Sequence, residues 1–191
     1  MLKFLVEYQK INLLLGKAET MELHKLILAL IPRIAFFFYW IFDTMIVLGK
    51  INFMKNIDMK WITHKWALCW TVANFSGIIS HIIELVEVGK EEAKLIAQKR
   101  VASSGAQIDS VNGAQKTSQE EIRAKFQALN AKKTTNVMGI VGKAGDSITS
   151  TNLLGWDEAY LGYKFNDGQI GLGGFISGCI GSYNLYPAAK K

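Results

Sequence analysis

The residues able to do chemistry are few and far apart. Two cysteines, Cys69 and Cys179, and three histidines, His24, His64 and His81, stand in different segments. Metal binding or thiol catalysis needs ligands, or a thiol and its base, at short recurring spacings, and none of these residues has such a neighbour. The cysteines read as small buried hydrophobes, and His81 as a hydrogen-bonded core or interface histidine. The stretch GLGGFISG at 171–178 has enough glycine to cradle a phosphate. It lacks the Gly-Lys-Ser/Thr ending and the strand–loop–helix setting of a nucleotide loop. With no nucleophile–base pair and no carboxylate cluster, nothing supports a catalytic mechanism. The expectation is a non-enzymatic protein with no cofactor, no metal and no catalytic residue.

Two charges inside an apolar run remain, Arg33 and Asp43 in LILALIPRIAFFFYWIFDTMIVLG, 26–49. A charge near the middle of a bilayer costs at least ~2.5 kcal/mol unless it is satisfied. The two are too far apart to pair along one helix. Either they meet polar groups on other helices, or the segment is tilted and partly inserted with Arg33 snorkelling to an interface. Lining a transport pathway is a more distant alternative.

The elements that would position these residues follow from hydropathy. Half of the 191 residues are hydrophobic, and they concentrate in 26–49, 61–88 and 168–187, while 89–136 is polar. That segregation points to a bilayer rather than a globular core, and one domain of 1–191 suffices for the length. The run 26–49 is long enough to span, given the ~20 apolar residues a span needs. The cleanest span is WALCWTVANFSGIISHII, 66–83, which follows a short basic connector at 50–65. Trp61, Trp66 and Trp70 gather at its start, as an aromatic belt at a membrane interface does. Residues 2–18 read as a helix whose Lys3, Glu7, Lys10 and Lys17 form one charged stripe against a broad apolar remainder, suited to a membrane surface or to packing among helices.

The polar middle contains a charged helix from Lys90, a small, polar and flexible stretch VASSGAQIDSVNGAQK at 101–116, and a helix restarting at Ser118. Ser118 and Glu121 there fit a capping box, and Ile122, Phe126 and Leu129 share one face. Residues 137–155 resume a mildly apolar helical pattern, and WDEAYLGYKFNDG forms an aromatic, polar turn.

The last apolar stretch, GQIGLGGFISGCIGSYNLYP at 168–187, holds six glycines and no charge. Gly173, Ser177 and Gly181 recur every four residues, as do Gly174, Gly178 and Ser182. In lipid such small faces let helix backbones approach and gain van der Waals contact. Tyr183 and Tyr186 then mark an interface and Pro187 ends the helix. The reading is an all-α integral membrane protein of five to seven helices, two or three of them spanning, with amphipathic or interfacial helices besides.

The net charge of +6, spread over connecting segments, suits anionic lipid head groups. Nucleic-acid binding is not expected, since no clustered basic face or recognition motif appears. The expected partners are membrane lipids and either other membrane-protein subunits or further copies of the chain. No cleavable signal, transit peptide or Ser-Lys-Leu ending is present, so delivery would use internal signals.

Three stretches resemble the peroxin-11 family (peroxisomal biogenesis factor 11): LKFLVEYQKINLLLGKAE, FFYWIFDTMIVLGKINF with Asp43 and Gly49, and GLGGFISGCIGSYNLYP. The resemblance runs from about 2 to 187, with 95–135 as the variable polar connector. It implies a helical membrane protein of the kind that elongates and constricts peroxisomes before division. Family members carry further residues, including helical material associated with membrane remodelling, ahead of the place Met1 holds here. With that segment lacking and the basic stripe thin, weak remodelling by the isolated chain is expected. The expected role is then an accessory structural subunit of a large membrane assembly, with the mitochondrial inner membrane a candidate setting. The alternative is a peroxisomal membrane-elongating factor acting through amphipathic helices.

Overall fold

The computed structural model describes the backbone of residues 3–105 and 112–186, and the side chains of these except 101–105 and 112–119. Every regular element among them is a helix: α1 Lys3–Leu15, α2 Leu23–Lys50, α3 Met59–Gly105, α4 Asn112–Leu154, α5 Trp156–Leu161 and α6 Asp167–Leu185. The all-α reading holds. Two helices, α2 over Leu23–Lys50 and α3 over Met59–Arg100, are long and apolar enough to cross a bilayer. They contain the two runs picked out by hydropathy. The glycine-rich α6 does not join them, because its glycines with Gln169 and Asn184 dilute its hydropathy.

Several boundaries differ from expectation. The connector between the spans is only 51–58, since helix α3 already starts at Met59. Asn52 and Asn56 turn the chain there with φ of 57° and 62°, a left-handed conformation that asparagine tolerates better than most residues. Helix α4 begins at Asn112, so Ser118 lies inside it and is not a cap. The stretch expected to be flexible is helical over 101–105 and 112–116; its remainder, like Pro187, lies outside the described residues. The polar turn after Leu154 contains α5, a six-residue helix set between Gly155 and Gly162 with φ of 70° and 64°.

The chain divides into two compact units, one of Met1–Ser80 with Ile140–Lys191, the other His81–Gly139. In the second unit, Val88 and Leu129 are buried, and Ile122 and Phe126 share the half-buried face of Leu129. His81 Nδ1 lies 2.9 Å from Asn136 Oδ1, Lys133 pairs with Glu92, and the His81 ring fills the space a side chain at Gly139 would need. The unit is thus a folded element in its own right, where the sequence suggested a connector.

In the first unit the usual burial rule is inverted. Ile62 aside, the most buried side chains are small or polar: Ala67, Thr71, Ala73, Asn74, Ser150 and Asp157. Large apolar residues face outward, as Ile27, Ile31, Ile34 and Phe38 on α2, and Val72, Phe75 and Ile79 on α3. Both sets recur at three- and four-residue spacing, so each makes one helical stripe. Water would penalise such stripes, whereas hydrocarbon accepts them and leaves small faces for helix contact. Buried hydroxyls are satisfied locally: Thr71 Oγ1 donates to the Ala67 carbonyl at 2.9 Å and Ser147 Oγ to that of Lys143 at 2.8 Å.

Helices α4 and α6 approach each other backbone to backbone. A Cβ built on Gly173 would lie 2.7 Å from the Gly145 carbonyl oxygen, and one on Gly145 would strike the Gly173 carbonyl. Backbone cannot move aside as a flexible side chain can. Replacing Gly145 or Gly173 with alanine should therefore cost about 1–3 kcal/mol through overpacking. Gly174→Ala, into open space, should stay within about 0.5 kcal/mol of the parent. Thermal unfolding of the three variants in detergent or lipid nanodiscs checks this contrast.

Candidate lipid-contacting surface

Helix α1 turns Glu7 inward. Glu7 is 7% exposed; its Oε1 accepts from Lys10 Nζ at 2.7 Å and its Oε2 from an Arg33 guanidinium nitrogen at 3.3 Å. Lys3 Nζ sits 4.0 Å from the centre of the Trp40 ring, and Phe4 and Tyr8 pack against Phe37. Of the charged stripe expected to meet head groups, Glu7 is thus drawn onto α2, whereas Lys10 is half-buried, Lys3 is exposed while reaching the Trp40 ring, and Lys17 is exposed in the turn after α1. Outward α1 presents Leu5, Tyr8, Leu13 and Leu15, with Leu13 68% exposed, interleaved with Gln9 and Asn12. A mostly apolar outward surface, held to α2 through Glu7, suits the boundary of head groups and acyl chains.

Arg33 meets a polar group on another helix, whereas Asp43 is half-buried and makes no hydrogen bond or ion pair among the described residues. Trp66 and Trp70 fasten α2 to α3, stacking with and tilting against Tyr39 at ring-centre distances of 5.3 and 5.9 Å. Trp61 is half exposed and lies edge-on to Phe42. Tyr183 and Tyr186 are exposed at the end of α6. Of the two small ladders, Gly173 and Ser177 face into the unit, while side chains at Gly174, Gly178 and Gly181 would meet nothing within 4 Å. Ser182 is exposed. Cys69 is half-buried but Cys179 is exposed on α6, which corrects the reading of both as buried.

Two features escaped the sequence reading. Lys143 of α4 fills the space beside Gly77 of α3 and lies 5.5 Å from the centre of the Phe36 ring, an amphipathic side chain packing its stem and pointing its charge at an aromatic face. The GKAGD run inside a mildly apolar helix was its signal. The second is Asp157, 1% exposed. Its Oδ2 accepts from Asn152 Nδ2 at 2.8 Å and from the Phe165 backbone N–H at 2.9 Å. It thus ties the end of α4 to the chain entering α6, where Asn166 and Gln169 form a capping box.

Glu7→Gln keeps the shape and removes the charge. It should weaken α1 docking by about 1–2 kcal/mol, the usual range for a charged hydrogen bond that keeps some solvent access. Faster protease cleavage in the 16–22 linker reports it, and Arg33→Gln combined with Glu7→Gln should be less than additive.

The hydrogen bond from Asn152, then that from the Phe165 amide, hold the Asp157 carboxyl below the ordinary carboxylate range. A depressed folded-state pKa gives stability that is fully present above the unfolded value and lost as pH falls through the folded one. Proteolysis within 155–166 should accordingly stay slow at neutral pH and rise only under strong acid. Asp157→Asn should flatten that dependence.

Residues 1–186 match the family described as peroxisomal biogenesis factor 11 (PEX11). The chain belongs to the PEX11 family. A relative, the peroxisomal membrane protein 11 homolog of Dictyostelium discoideum, is 28% identical over 188 residues, which cover 96% of this chain and 70% of that protein. No solved structure gives a significant match. The family match extends through the polar middle, 95–135, which the resemblance alone had left unmatched. It also favours the peroxisomal alternative over an accessory subunit of another assembly.

Proposed function

We propose that this PEX11-family chain is a non-enzymatic peroxisomal membrane protein that bends and elongates its membrane as a step in peroxisome proliferation. The observation that carries the reading is α1's outward apolar face, Leu5, Tyr8, Leu13 and Leu15, on a helix pinned to a membrane-spanning neighbour through Glu7 and Arg33. A helix seated at the boundary of head groups and acyl chains adds area to one leaflet and so favours curvature, with binding that scales with buried apolar area. The net positive charge adds attraction to anionic lipid. Family membership supports the peroxisomal setting, as does the name of the Dictyostelium relative. Copies of the chain, or other membrane subunits, could reinforce bending by docking on the open face of Gly174, Gly178 and Gly181.

The purified chain, reconstituted into vesicles containing anionic lipid, should draw them into tubules visible by electron microscopy. Leu5→Glu with Leu13→Glu should abolish tubulation while leaving the helical circular-dichroism signal intact. Gly174→Leu with Gly178→Leu should reduce it only if chains associate through that face, as crosslinking would register. Spherical vesicles with the parent chain, together with a stable non-peroxisomal complex in its native membrane, would refute the reading and restore the accessory-subunit alternative.

A further inference from the structure

An apolar cavity of about 310 Å³ lies within the first compact unit. Phe75 and Ile78 of α3, Ile148 of α4, and Trp156, Tyr160 and Phe165 at and after α5 form much of its wall. The polar side chains on the wall are turned to the protein. Ser147 and Thr151 donate to backbone carbonyls at 2.8 and 2.6 Å. Asp157 Oδ2 accepts from Asn152 and the Phe165 amide, and its Oδ1 is buried. A molecule in the cavity therefore meets ring and hydrocarbon.

The cavity is not sealed. Phe75, on its wall, also stands in the outward stripe of α3, and Tyr160 and Leu161 of α5 are exposed as well. Phe75 lies inside the membrane-crossing run of α3, so the cavity is continuous with a surface that faces acyl chains. Water finds no partners in an apolar hollow and leaves it dry. A hollow left empty deprives its wall of dispersion contacts. Hydrocarbon restores those contacts and brings no polar group to be stranded. The volume stands at the lower end for ligand pockets, roughly 300–1,000 Å³. It takes a length of one chain and leaves the head group outside. A chain lying there also backs α5, a helix of six residues between two glycines of positive φ. Trp156, Tyr160 and Leu161 would rest on it.

We propose that the cavity bounded by α3, α4 and α5 binds one acyl chain of a membrane phospholipid and selects the chain rather than the head group. The inference rests on the seat of the chain in lipid and not on membrane bending, so either can fail while the other stands.

The full chain is reconstituted into phosphatidylcholine vesicles with a trace of the same lipid carrying a diazirine part-way along one acyl chain. Labelled peptides are mapped by mass spectrometry after illumination. Two variants fill the cavity from different helices, Ala144→Phe from α4 and Ile78→Trp from α3. Each should lower the label on 155–166 about fivefold, as expected for a pocket that holds most of its ligand's surface. Label on 27–38, the outward stripe of α2, should stay as in the parent and serves as the internal standard. Where one variant loses the parent's helical circular-dichroism signal, the other carries the test. Moving the diazirine chain onto an ethanolamine or glycerol head group should leave the parent's label on 155–166 unchanged. Parent-level label on 155–166 in the filled variants would overturn the proposal. So would its loss on a change of head group, or its displacement by cholesterol, which would give the cavity to a sterol.

Discussion

The structure depends on one constraint: in hydrocarbon, burying a large apolar side chain gains almost nothing, because lipid is as apolar as the protein interior. Helices must then be held by close backbone approach and by polar groups that have no better partner. The contact of Gly145 with Gly173 is the first kind, and the pairing of Glu7 with Arg33 the second. With small and polar residues turned inward, the bulky apolar residues are left for the outside. The exposed stripes of α2 and α3 are the result of that sorting.

The same constraint explains α1. A short helix with a broad apolar face would ordinarily bury that face and show its charges. Here Arg33, inside a spanning helix, needs an acceptor more than the face needs cover, and Glu7 supplies it. Docking Glu7 inward leaves the apolar side free. A surface suited to lipid thus follows from satisfying one intramembrane cation, and the aromatic packing of Phe4 and Tyr8 on Phe37 fixes its angle.

What could be read from the sequence were features whose cause is local. The two spanning runs, the helical character of residues 2–18 and the small faces of α6 each rest on composition and period within one segment. The direction α1 faces does not, because the partner of Glu7 lies beyond a turn, on another helix. Nor does the choice between the α6 ladders: Gly173 meets Gly145 on a different helix, and nothing in 168–187 distinguishes it from Gly174. The hold on Asp157 draws one donor from before it and one from after, across two glycines with positive φ, so the segment read as a turn. The Asn166–Gln169 cap was legible in principle, but the surrounding Gly, Asp and Lys look like loop. The polar middle was the converse case. Its charge suggested a flexible connector, whereas buried Val88, Leu129 and Asn136, the last paired with His81, give it a small core.

The account stands on the claim that this inside-out arrangement is set in lipid with α1's apolar face in contact with acyl chains. The most direct measurement places a nitroxide label, one at a time, at Leu13, Ile79 and Thr71 in a cysteine-free chain reconstituted into vesicles. Collision rates with oxygen and with a water-soluble nickel chelate are then compared. The account predicts that labels at Leu13 and Ile79 collide freely with oxygen and poorly with the chelate, while Thr71 is shielded from both. A label at Leu13 relaxed mainly by the chelate would place that face in water and contradict the account.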